Sequence, residues 1–113
     1  MGSKNKLKRF QDNDNFANVI QPGREELLDD QFPYKGKWRA YFFKNELPLI
    51  VELGCGKGEY SVGLAQRFPE NNYIGVDIKG ARFWRGAKTA LEEELDNVAF
   101  VRTQIELIEH IFD

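Results

Sequence analysis

The alternation of short apolar runs with longer amphipathic segments, which begins near residue 48, constrains the fold of this chain more than any other feature. Three apolar runs have the length and composition of buried strands: 48–53, 73–78 and 98–101. Three segments place apolar residues at helical spacing: 58–68, 81–95 and 105–112. Strands joined by helices through short connections form parallel sheets with right-handed crossovers. The sequence therefore predicts an α/β fold that is one half of a doubly wound sheet.

Each helical segment has a predicted buried face, which follows from the spacing of its apolar residues. The faces are Tyr60, Leu64, Ala65 and Phe68 in the first helix, Trp84, Ala87, Leu91 and Leu95 in the second, and Ile105, Ile108 and Phe112 in the third. Spacings of three and four residues bring side chains to one side of a helix, so we expect these faces to lie on the sheet.

The chain divides into two predicted regions. Residues 1–47 form a basic and aromatic N-terminal extension, irregular or helical, with short helices near 24–30 and 35–44 and a turn at Asn13-Asp14-Asn15. Residues 48–113 hold only three strands, whereas a doubly wound sheet pairs its first strand with a fourth strand on the other side. We therefore expect a truncated domain whose first strand has an unpaired edge, available in such a form for pairing with another chain. The oligomeric state stays open.

Composition and charge exclude several classes of protein. The formal net charge of −2 gives no global argument for nucleic-acid binding, so a nucleic-acid surface would have to be a local patch. A single cysteine and a single histidine predict neither an internal disulfide nor a metal site. No segment reaches the roughly 18–20 apolar residues of a membrane-spanning helix, and the basic, polar residues 1–10 are unlike a secretory signal. We expect a cytoplasmic protein.

A glycine-rich segment follows the first predicted strand and opens the first predicted helix: Glu52-Leu53-Gly54-Cys55-Gly56-Lys57-Gly58-Glu59. Glycines there allow a sharp turn and a close approach of the backbone to a ligand. A dinucleotide fingerprint would place its third glycine at position 59, which is Glu in this chain. Glu52, two positions before the first glycine, suits a ligand with cationic groups better than it suits a pyrophosphate. A glycine turn without a ligand is the alternative.

Two polar residues follow the next strands at the same predicted edge of the sheet. Asp77 ends the second strand, where a carboxylate can accept both ribose hydroxyls of an adenosine group. A helix cap or a surface turn is its alternative role. Gln104 follows the third strand, where groups that contact adenine would lie, although Thr103 as a plain cap of the third helix explains this segment equally well.

Basic residues near the second helix predict a surface for phosphates. Lys79, Arg82, Arg85 and Lys88 recur at spacings of three residues. They are expected to combine with other basic residues, namely Lys35, Lys37, Arg39 and an N-terminal arm of Lys4, Lys6, Lys8 and Arg9. A solvated helix face balanced by Glu92, Glu93 and Glu94 is an equal alternative. Structural roles are expected for Cys55 and His110, and packing roles for Trp38, Phe42 and Phe43.

These residues give the chain a family resemblance. The stretch VELGCGKGEYSVGLAQRFPENNYIGVDIKGARFWRGAKTALEE resembles the bacterial tRNA (guanine-N7-)-methyltransferases, and the similarity continues through NVAFVRTQIELI. It covers about residues 45–112, and the basic start KNKLKRF is similar to the N-terminal arm of that family. The RFP turn and the IGVDIKGAR segment carry more of the resemblance than the glycine loop does, because all class I methyltransferases share that loop.

The resemblance implies a Rossmann-like class I methyltransferase domain that binds S-adenosylmethionine. It implies that Glu52 and Asp77 contact the cofactor and that Gly54, Gly56 and Gly58 line it. Gln104 would be a third contact, where the family often has Asp or Asn. The Phe-Pro-Asp-Pro segment that carries an acidic catalytic-site residue in the family does not occur in this sequence. No catalytic residue is therefore expected before residue 113, and the chain alone is expected to be inactive.

The resemblance also implies tRNA as the substrate. The candidate residues for binding it come from the basic surface described above and are Lys79, Arg82 and Arg85. Guanine N7 carries a lone pair and no proton, so methyl transfer to it requires positioning and electrostatics rather than a strong base. One alternative is a class I methyltransferase that acts on a small molecule or a protein. A second is a nucleotide-cofactor domain of the NAD type, against which Glu59 argues. A third, for a truncated chain, is a binding module without activity.

Overall fold

The computed structural model describes residues 3–112, with side chains from Lys6 onward, so the side chain of Lys4 and all of Asp113 lie outside the described part. The strands are β1 (Val19–Ile20), β2 (Leu49–Leu53), β3 (Asn72–Asp77) and β4 (Val98–Arg102). The α-helices are α1 (Ser3–Asn15), α2 (Arg24–Leu28), α3 (Glu59–Arg67) and α4 (Gly80–Glu92). A π-helix spans Trp38–Phe43, and a 3₁₀-helix spans Ile105–His110.

The four strands form one parallel sheet in the order β1-β4-β3-β2. Helix α3 connects β2 to β3, and α4 connects β3 to β4, so each crossover brings the chain to the neighbouring strand. Glu52 pairs with Gly75, and Asp77 pairs with Arg102. The predicted α/β fold and its three strands are confirmed, and all the strands end at the same edge of the sheet.

The N-terminal region adds a strand that the sequence did not predict. Val19 pairs with Phe100, and Ile20 pairs with Val101, so β1 extends the sheet beside β4. The amide of Phe100 also donates to the carbonyl oxygen of Asn18 at 2.8 Å. A strand of two residues is too short to show a hydrophobic period, which explains why the sequence pattern did not reveal it.

Each face of the sheet carries its own apolar layer. On one face the strands pack against α2 and the π- and 3₁₀-helices, and the buried residues are Leu27, Phe32, Trp38, Ile74, Val76, Ala99, Val101, Leu107 and Ile111. On the other face they pack against α3 and α4, and the buried residues are Cys55, Val62, Ala65, Tyr73, Phe83, Ala87, Ala90, Val98 and Phe100. The architecture is therefore a sheet between two layers of helices.

The predicted packing role of the π-helix aromatics agrees with this layering. Trp38 is buried, its indole N–H donates to the carbonyl oxygen of Ile111 at 2.9 Å, and its ring centroid lies 5.4 Å from that of Phe42. Phe42 and Phe43 pack against the same layer. These rings hold the π-helix and the 3₁₀-helix together on one face of the sheet.

Helix α1 lies where the sequence suggested a turn, and it packs on α4. The predicted turn at Asn13-Asp14-Asn15 is wrong, because these residues form the last turn of α1. Asn13 is buried and donates from Nδ2 to the carbonyl oxygen of Gly80 at 2.9 Å. The indole N–H of Trp84 donates to Asp12 Oδ2 at 2.9 Å, and Arg9 lies 4.7 Å from the centre of the Trp84 ring. These tertiary contacts outweigh the local turn preference of asparagine and aspartate.

The predicted helix faces are partly wrong. In α3 the buried residues are Ser61, Val62 and Ala65, whereas Tyr60 is 66 % exposed. In α4 they are Gly80, Phe83, Gly86, Ala87 and Ala90, and in the 3₁₀-helix Leu107 is buried. Small residues face the sheet because α3 and α4 approach β4 and each other closely: a Cβ at Gly86 would lie 3.0 Å from the Cα of Gly58. A prediction that favours large apolar side chains misses such a face.

The first of the predicted strands, β2, is an edge strand. Within residues 3–112 it pairs with β3 on one side only. Ile50 is 43 % exposed and Leu53 is 54 % exposed, unlike the fully buried β3. The expected unpaired edge is therefore present in the described part of the chain.

Candidate functional site

Glu52 and Asp77 lie on the same face of the sheet at the carboxyl ends of neighbouring strands. Alternation along the paired strands puts Glu52 of β2 and Asp77 of β3 on the side that carries α3 and α4. Glu52 Oε1 accepts a hydrogen bond from the hydroxyl of Ser61, in α3, at 2.5 Å. The two carboxylates therefore border the same end of the sheet, as the sequence predicted.

Asp77 fixes the two loops on either side of it. Its Oδ2 accepts from the amide of Gly56 at 2.9 Å, and its Oδ1 accepts from the amide of Lys79 at 2.9 Å. The residue is 8 % exposed, so these two amides stabilise a carboxylate that is nearly buried. Helix α4 begins at Gly80 with Lys79 as its cap residue and without a side-chain cap bond, so the alternative of Asp77 as the cap of α4 is not observed.

The glycine loop, residues 54–58, leaves open space beside its first two glycines. Gly54 and Gly56 have φ of 70° and 56°, a region that side-chain-bearing residues rarely adopt. A Cβ added at Gly54 would meet no atom within 4 Å, and one at Gly56 would meet only Arg82 Nη2, at 3.6 Å. The backbone of this loop is thus accessible to a ligand.

Gly58 has a different role. A Cβ on this residue would lie 2.6 Å from Cε1 of Phe100, so the third glycine allows the start of α3 to pack on β4. The amide of Gly86 also donates to the carbonyl oxygen of Lys57 at 3.0 Å. The structure gives Gly58 a packing function, and its predicted contact with a cofactor stays a prediction.

Cys55, in the glycine loop, belongs to the apolar layer on the side of α3 and α4. The residue is 8 % exposed. Burial raises the pKa of its thiol to about 12, and the charges of Asp77 and then Glu52 act in the same direction, whereas a backbone hydrogen bond and the charge of Arg82 oppose them. A thiol with such a pKa is protonated at neutral pH and is a poor nucleophile. This agrees with the structural role predicted for Cys55.

The side chain of Gln104 bonds to helix α2 and to neither carboxylate. The residue follows β4, is exposed, and its Oε1 accepts from Nη1 of Arg24, in α2, at 3.2 Å. The alternative of Thr103 as the cap of the following helix is wrong: Gln104 holds the cap position without a side-chain cap bond, and Thr103 is 6 % exposed. A cofactor contact of Gln104 stays a prediction, and its hydrogen bond to Arg24 had no signal in the sequence.

His110 and the acidic side chains form no further chemical centre in the described part. Nδ1 of His110 lies 3.3 Å from Oδ1 of Asp30, which links the 3₁₀-helix to the segment after α2. Across residues 3–112, His, Cys, Asp and Glu side chains do not gather in groups of three or more that could hold a metal ion. Over the same residues, no helix combines the length and the apolar character that a bilayer crossing requires.

A basic groove of about 900 Å³ lies beside the glycine loop. Its cationic side chains are Lys6, Arg9, Lys57, Lys79, Arg82, Arg85 and Arg102, and Glu59 is the acidic residue in its lining. The three predicted substrate-binding residues thus share one surface. In a chain with a net charge of −2, this groove is the local patch that nucleic-acid binding would need.

Four elements and the segment 78–79 between β3 and α4 supply the cations of the basic groove. Helix α4 supplies Arg82 and Arg85, α1 supplies Arg9, and the glycine loop supplies Lys57. Arg102 ends β4 and donates from Nε to the carbonyl oxygen of Ile78 at 3.1 Å. Sequence reasoning missed Lys57 and Arg102, although their positions at the carboxyl ends of predicted strands were a usable signal.

The other basic residues of the predicted surface do not line this groove. Arg39 donates to the carbonyl oxygens of Leu47 and Glu46, and the amine of Lys37 lies 5.3 Å from the centre of the Tyr41 ring. The π-helix that carries Arg39 packs on the opposite face of the sheet from α4. The predicted single surface is therefore wrong for Lys35, Lys37 and Arg39. Two further residues of that prediction, Lys8 and Lys88, also lie outside the groove lining.

The sequence is similar to several curated proteins. It is 70 % identical over 112 residues to a tRNA (guanine-N(7)-)-methyltransferase of Christiangramia forsetii, covering 99 % of this chain and 50 % of the relative. Relatives of the same name come from Porphyromonas gingivalis, 59 % identical over 81 residues and covering 72 % of this chain and 33 % of the relative, and from Bacteroides fragilis, 49 % identical over 109 residues, with coverage of 96 % and 43 %. The chain spans half or less of the length of these relatives.

A family profile matches the part of the chain that holds the glycine loop, both carboxylates and α4. The matched residues are 46–113, and the family is described as putative methyltransferase. The match begins just before β2 and includes the three strands that the sequence predicted. The matched residues make up more than half of the chain and form the parallel strands that carry both carboxylates. This chain therefore belongs to that family of methyltransferases.

Proposed function

We propose that this chain binds S-adenosylmethionine and is part of an enzyme that transfers a methyl group to guanine N7 of tRNA. One observation carries the proposal: Glu52 and Asp77 lie on one face of the sheet, beside a glycine loop whose backbone is open at Gly54. The fit of the cofactor, the charge of the groove and the names of the relatives support it as well.

The residues at the carboxyl ends of β2 and β3 fit the chemistry of this cofactor. Asp77 is held by two backbone amides, and each of its oxygens keeps accepting capacity for a ribose hydroxyl. Glu52 uses Oε1 for Ser61, and among the described residues its Oε2 has no hydrogen-bond partner, so it can face a cationic group. The bound cofactor would supply a methyl group on a positively charged sulfur.

The chain's own contribution to the reaction is binding and orientation. Guanine N7 has no proton to remove, so a strong base is not required. The groove cations hold the phosphates of the substrate, and the glycine loop, with Lys57 in it, joins the groove to the carboxylates. Positioning of this kind removes a large part of the entropic barrier of a reaction between two bound molecules.

The substrate assignment rests on the relatives and on the basic groove. Three relatives are named tRNA (guanine-N(7)-)-methyltransferase, and a groove with seven cations suits a polyanion better than a small molecule or a neutral protein surface. We expect an enzyme with such an RNA substrate to act in the cytoplasm. The NAD-type alternative is not favoured, since the position for the third glycine holds Glu59, which lines the groove.

Calorimetric titration with S-adenosylhomocysteine tests the cofactor assignment. We expect the full chain to bind it, and Glu52→Gln and Asp77→Asn to weaken the binding by about tenfold or more, because each removes a charged hydrogen-bonding partner. Glu92→Gln is the matched control, as Glu92 is an exposed carboxylate at the end of α4. Circular dichroism establishes that each variant is folded. Unchanged affinity in both site variants would refute the proposal.

A further inference from the structure

Arg82 lies at the junction of the basic groove and the glycine loop. It lines the groove, and its Nη2 is the atom that a Cβ on Gly56 would meet, at 3.6 Å. Arg85, one turn further along α4, lines the groove as well but has no atom within 4 Å of that point. One helix therefore presents two similar cations, of which only the first reaches over the loop.

The charge of Arg82 acts on the interior of the glycine loop. The Cys55 thiol senses three nearby charges, and Arg82 opposes the effect of Asp77 and Glu52 on its pKa. Within residues 3–112 the guanidinium of Arg82 takes part in no hydrogen bond or ion pair, so no carboxylate neutralises it directly. An exposed positive charge thus lies next to the place where the proposed function puts a cationic cofactor.

Electrostatics then links the two sites. S-adenosylmethionine carries one more positive charge than S-adenosylhomocysteine, because its sulfur bears three carbon substituents. A nearby guanidinium repels the positively charged sulfur of S-adenosylmethionine and so weakens its binding. A phosphate bound to that guanidinium neutralises it and removes this repulsion. Binding of a polyanion in the groove should therefore strengthen binding of the cationic cofactor and leave that of the uncharged-sulfur product almost unchanged.

We propose that Arg82 couples the two sites, so that RNA in the basic groove raises the affinity of the glycine loop for S-adenosylmethionine over S-adenosylhomocysteine. This inference rests on the proposed function, and it adds that RNA favours binding of the methyl donor over binding of the product. Because such coupling is reciprocal, the cationic cofactor also tightens RNA binding, and the product does not. Arg82 acts through its positive charge, which a bound phosphate neutralises, and it needs no contact with the reacting atoms.

Calorimetry of both ligands, with and without a saturating tRNA transcript, tests the coupling in the full chain. We expect RNA to lower the dissociation constant of S-adenosylmethionine by about fivefold and that of S-adenosylhomocysteine by less than about twofold. Arg82→Gln should bind S-adenosylmethionine more tightly without RNA and lose the effect of RNA. Arg85→Gln should need more RNA for saturation but keep the effect. A rise in salt should shrink the coupling, since salt screens exposed charges.

The outcomes separate the coupling from the function on which it rests. If both ligands bind and RNA changes their two dissociation constants by the same factor, the coupling is refuted while cofactor binding stands. The same holds if RNA still favours S-adenosylmethionine over S-adenosylhomocysteine in Arg82→Gln. If neither ligand binds the folded chain, the proposed function fails and the coupling fails with it. If RNA binds but strengthens only S-adenosylhomocysteine, the electrostatic argument has the wrong sign.

Discussion

At the scale of single residues, the glycines have unequal tasks. Gly54 and Gly56 combine positive φ with open space, whereas Gly58 combines positive φ with direct packing on Phe100. Gly63, inside α3, has ordinary backbone angles and no atom near the place of a Cβ. The spacing of the glycines identified the loop but could not distinguish these roles, because each role depends on which atoms surround the place where a Cβ would be.

Gly58→Ala and Gly63→Ala are expected to change stability in opposite directions. The first forces a side chain into left-handed backbone and onto the Phe100 ring, which should lower the free energy of unfolding by about 2–4 kcal/mol. The second replaces a glycine in a helix where space is free, which should raise it by about 0.5–1 kcal/mol. Urea unfolding followed by circular dichroism measures both. Equal effects of the two substitutions would contradict the packing role of Gly58.

At the scale of elements, the hydrophobic pattern of the sequence predicted the three longer strands, but it did not predict which helix faces are buried by contacts with other elements. β2, β3 and β4 were predicted because apolar runs of this length are typical of buried strands. The face of α4 was misplaced by one residue, from Trp84 to Phe83, because α1 covers Trp84 from outside the sheet layer. Among the site residues, Glu52 and Asp77 lie at one edge of the sheet, as predicted. Arg102 was missed although it directly follows a predicted strand, since the prediction did not consider the residues that end that strand as groove residues.

Trp84→Phe is expected to loosen α1 while the sheet stays intact. It removes the hydrogen bond to Asp12 and weakens the contacts of Arg9 and Lys88 with the ring, which lie at 4.7 and 5.2 Å. Amide hydrogen exchange should become faster in α1 and remain unchanged in β3. RNA affinity should fall as well, since α1 carries two of the groove cations.

Tyr41→Phe is the control for this prediction. Tyr41 also has a cation on its ring, Lys37 at 5.3 Å, but it is 60 % exposed and lies in the π-helix. Its replacement should leave exchange in α1 unchanged. If Trp84→Phe gives the same exchange pattern as Tyr41→Phe, the docking of α1 does not depend on the indole.

At the scale of the whole molecule, the sheet formed by residues 3–112 ends in two edge strands of unequal length, β1 with two residues and β2 with five. β1 ends the sheet beside β4 and is held by the N-terminal region, whereas β2 leaves Ile50 and Leu53 exposed. Unpaired strand edges with apolar side chains are sites of association between chains. The chain should therefore self-associate through β2 as its concentration rises.

Sedimentation velocity over a range of concentrations measures this association. Ile50→Lys should reduce it, because a lysine on an edge strand disfavours pairing. Ile105→Lys is the control, since Ile105 is exposed to a similar degree, 46 % against 43 %, but lies in the 3₁₀-helix. Monomer at all concentrations, or an equal effect of the two lysines, would contradict association through β2.

The pairing of β1 with β4 has a consequence for the order of folding. Val19 of β1 pairs with Phe100, and Asn13 of α1 donates to the carbonyl oxygen of Gly80, so both elements depend on contacts with residues far along the sequence. Contacts so distant in sequence slow folding. We therefore expect α1 and β1 to reach their final positions only after the consecutive elements β2, α3, β3, α4 and β4 have formed.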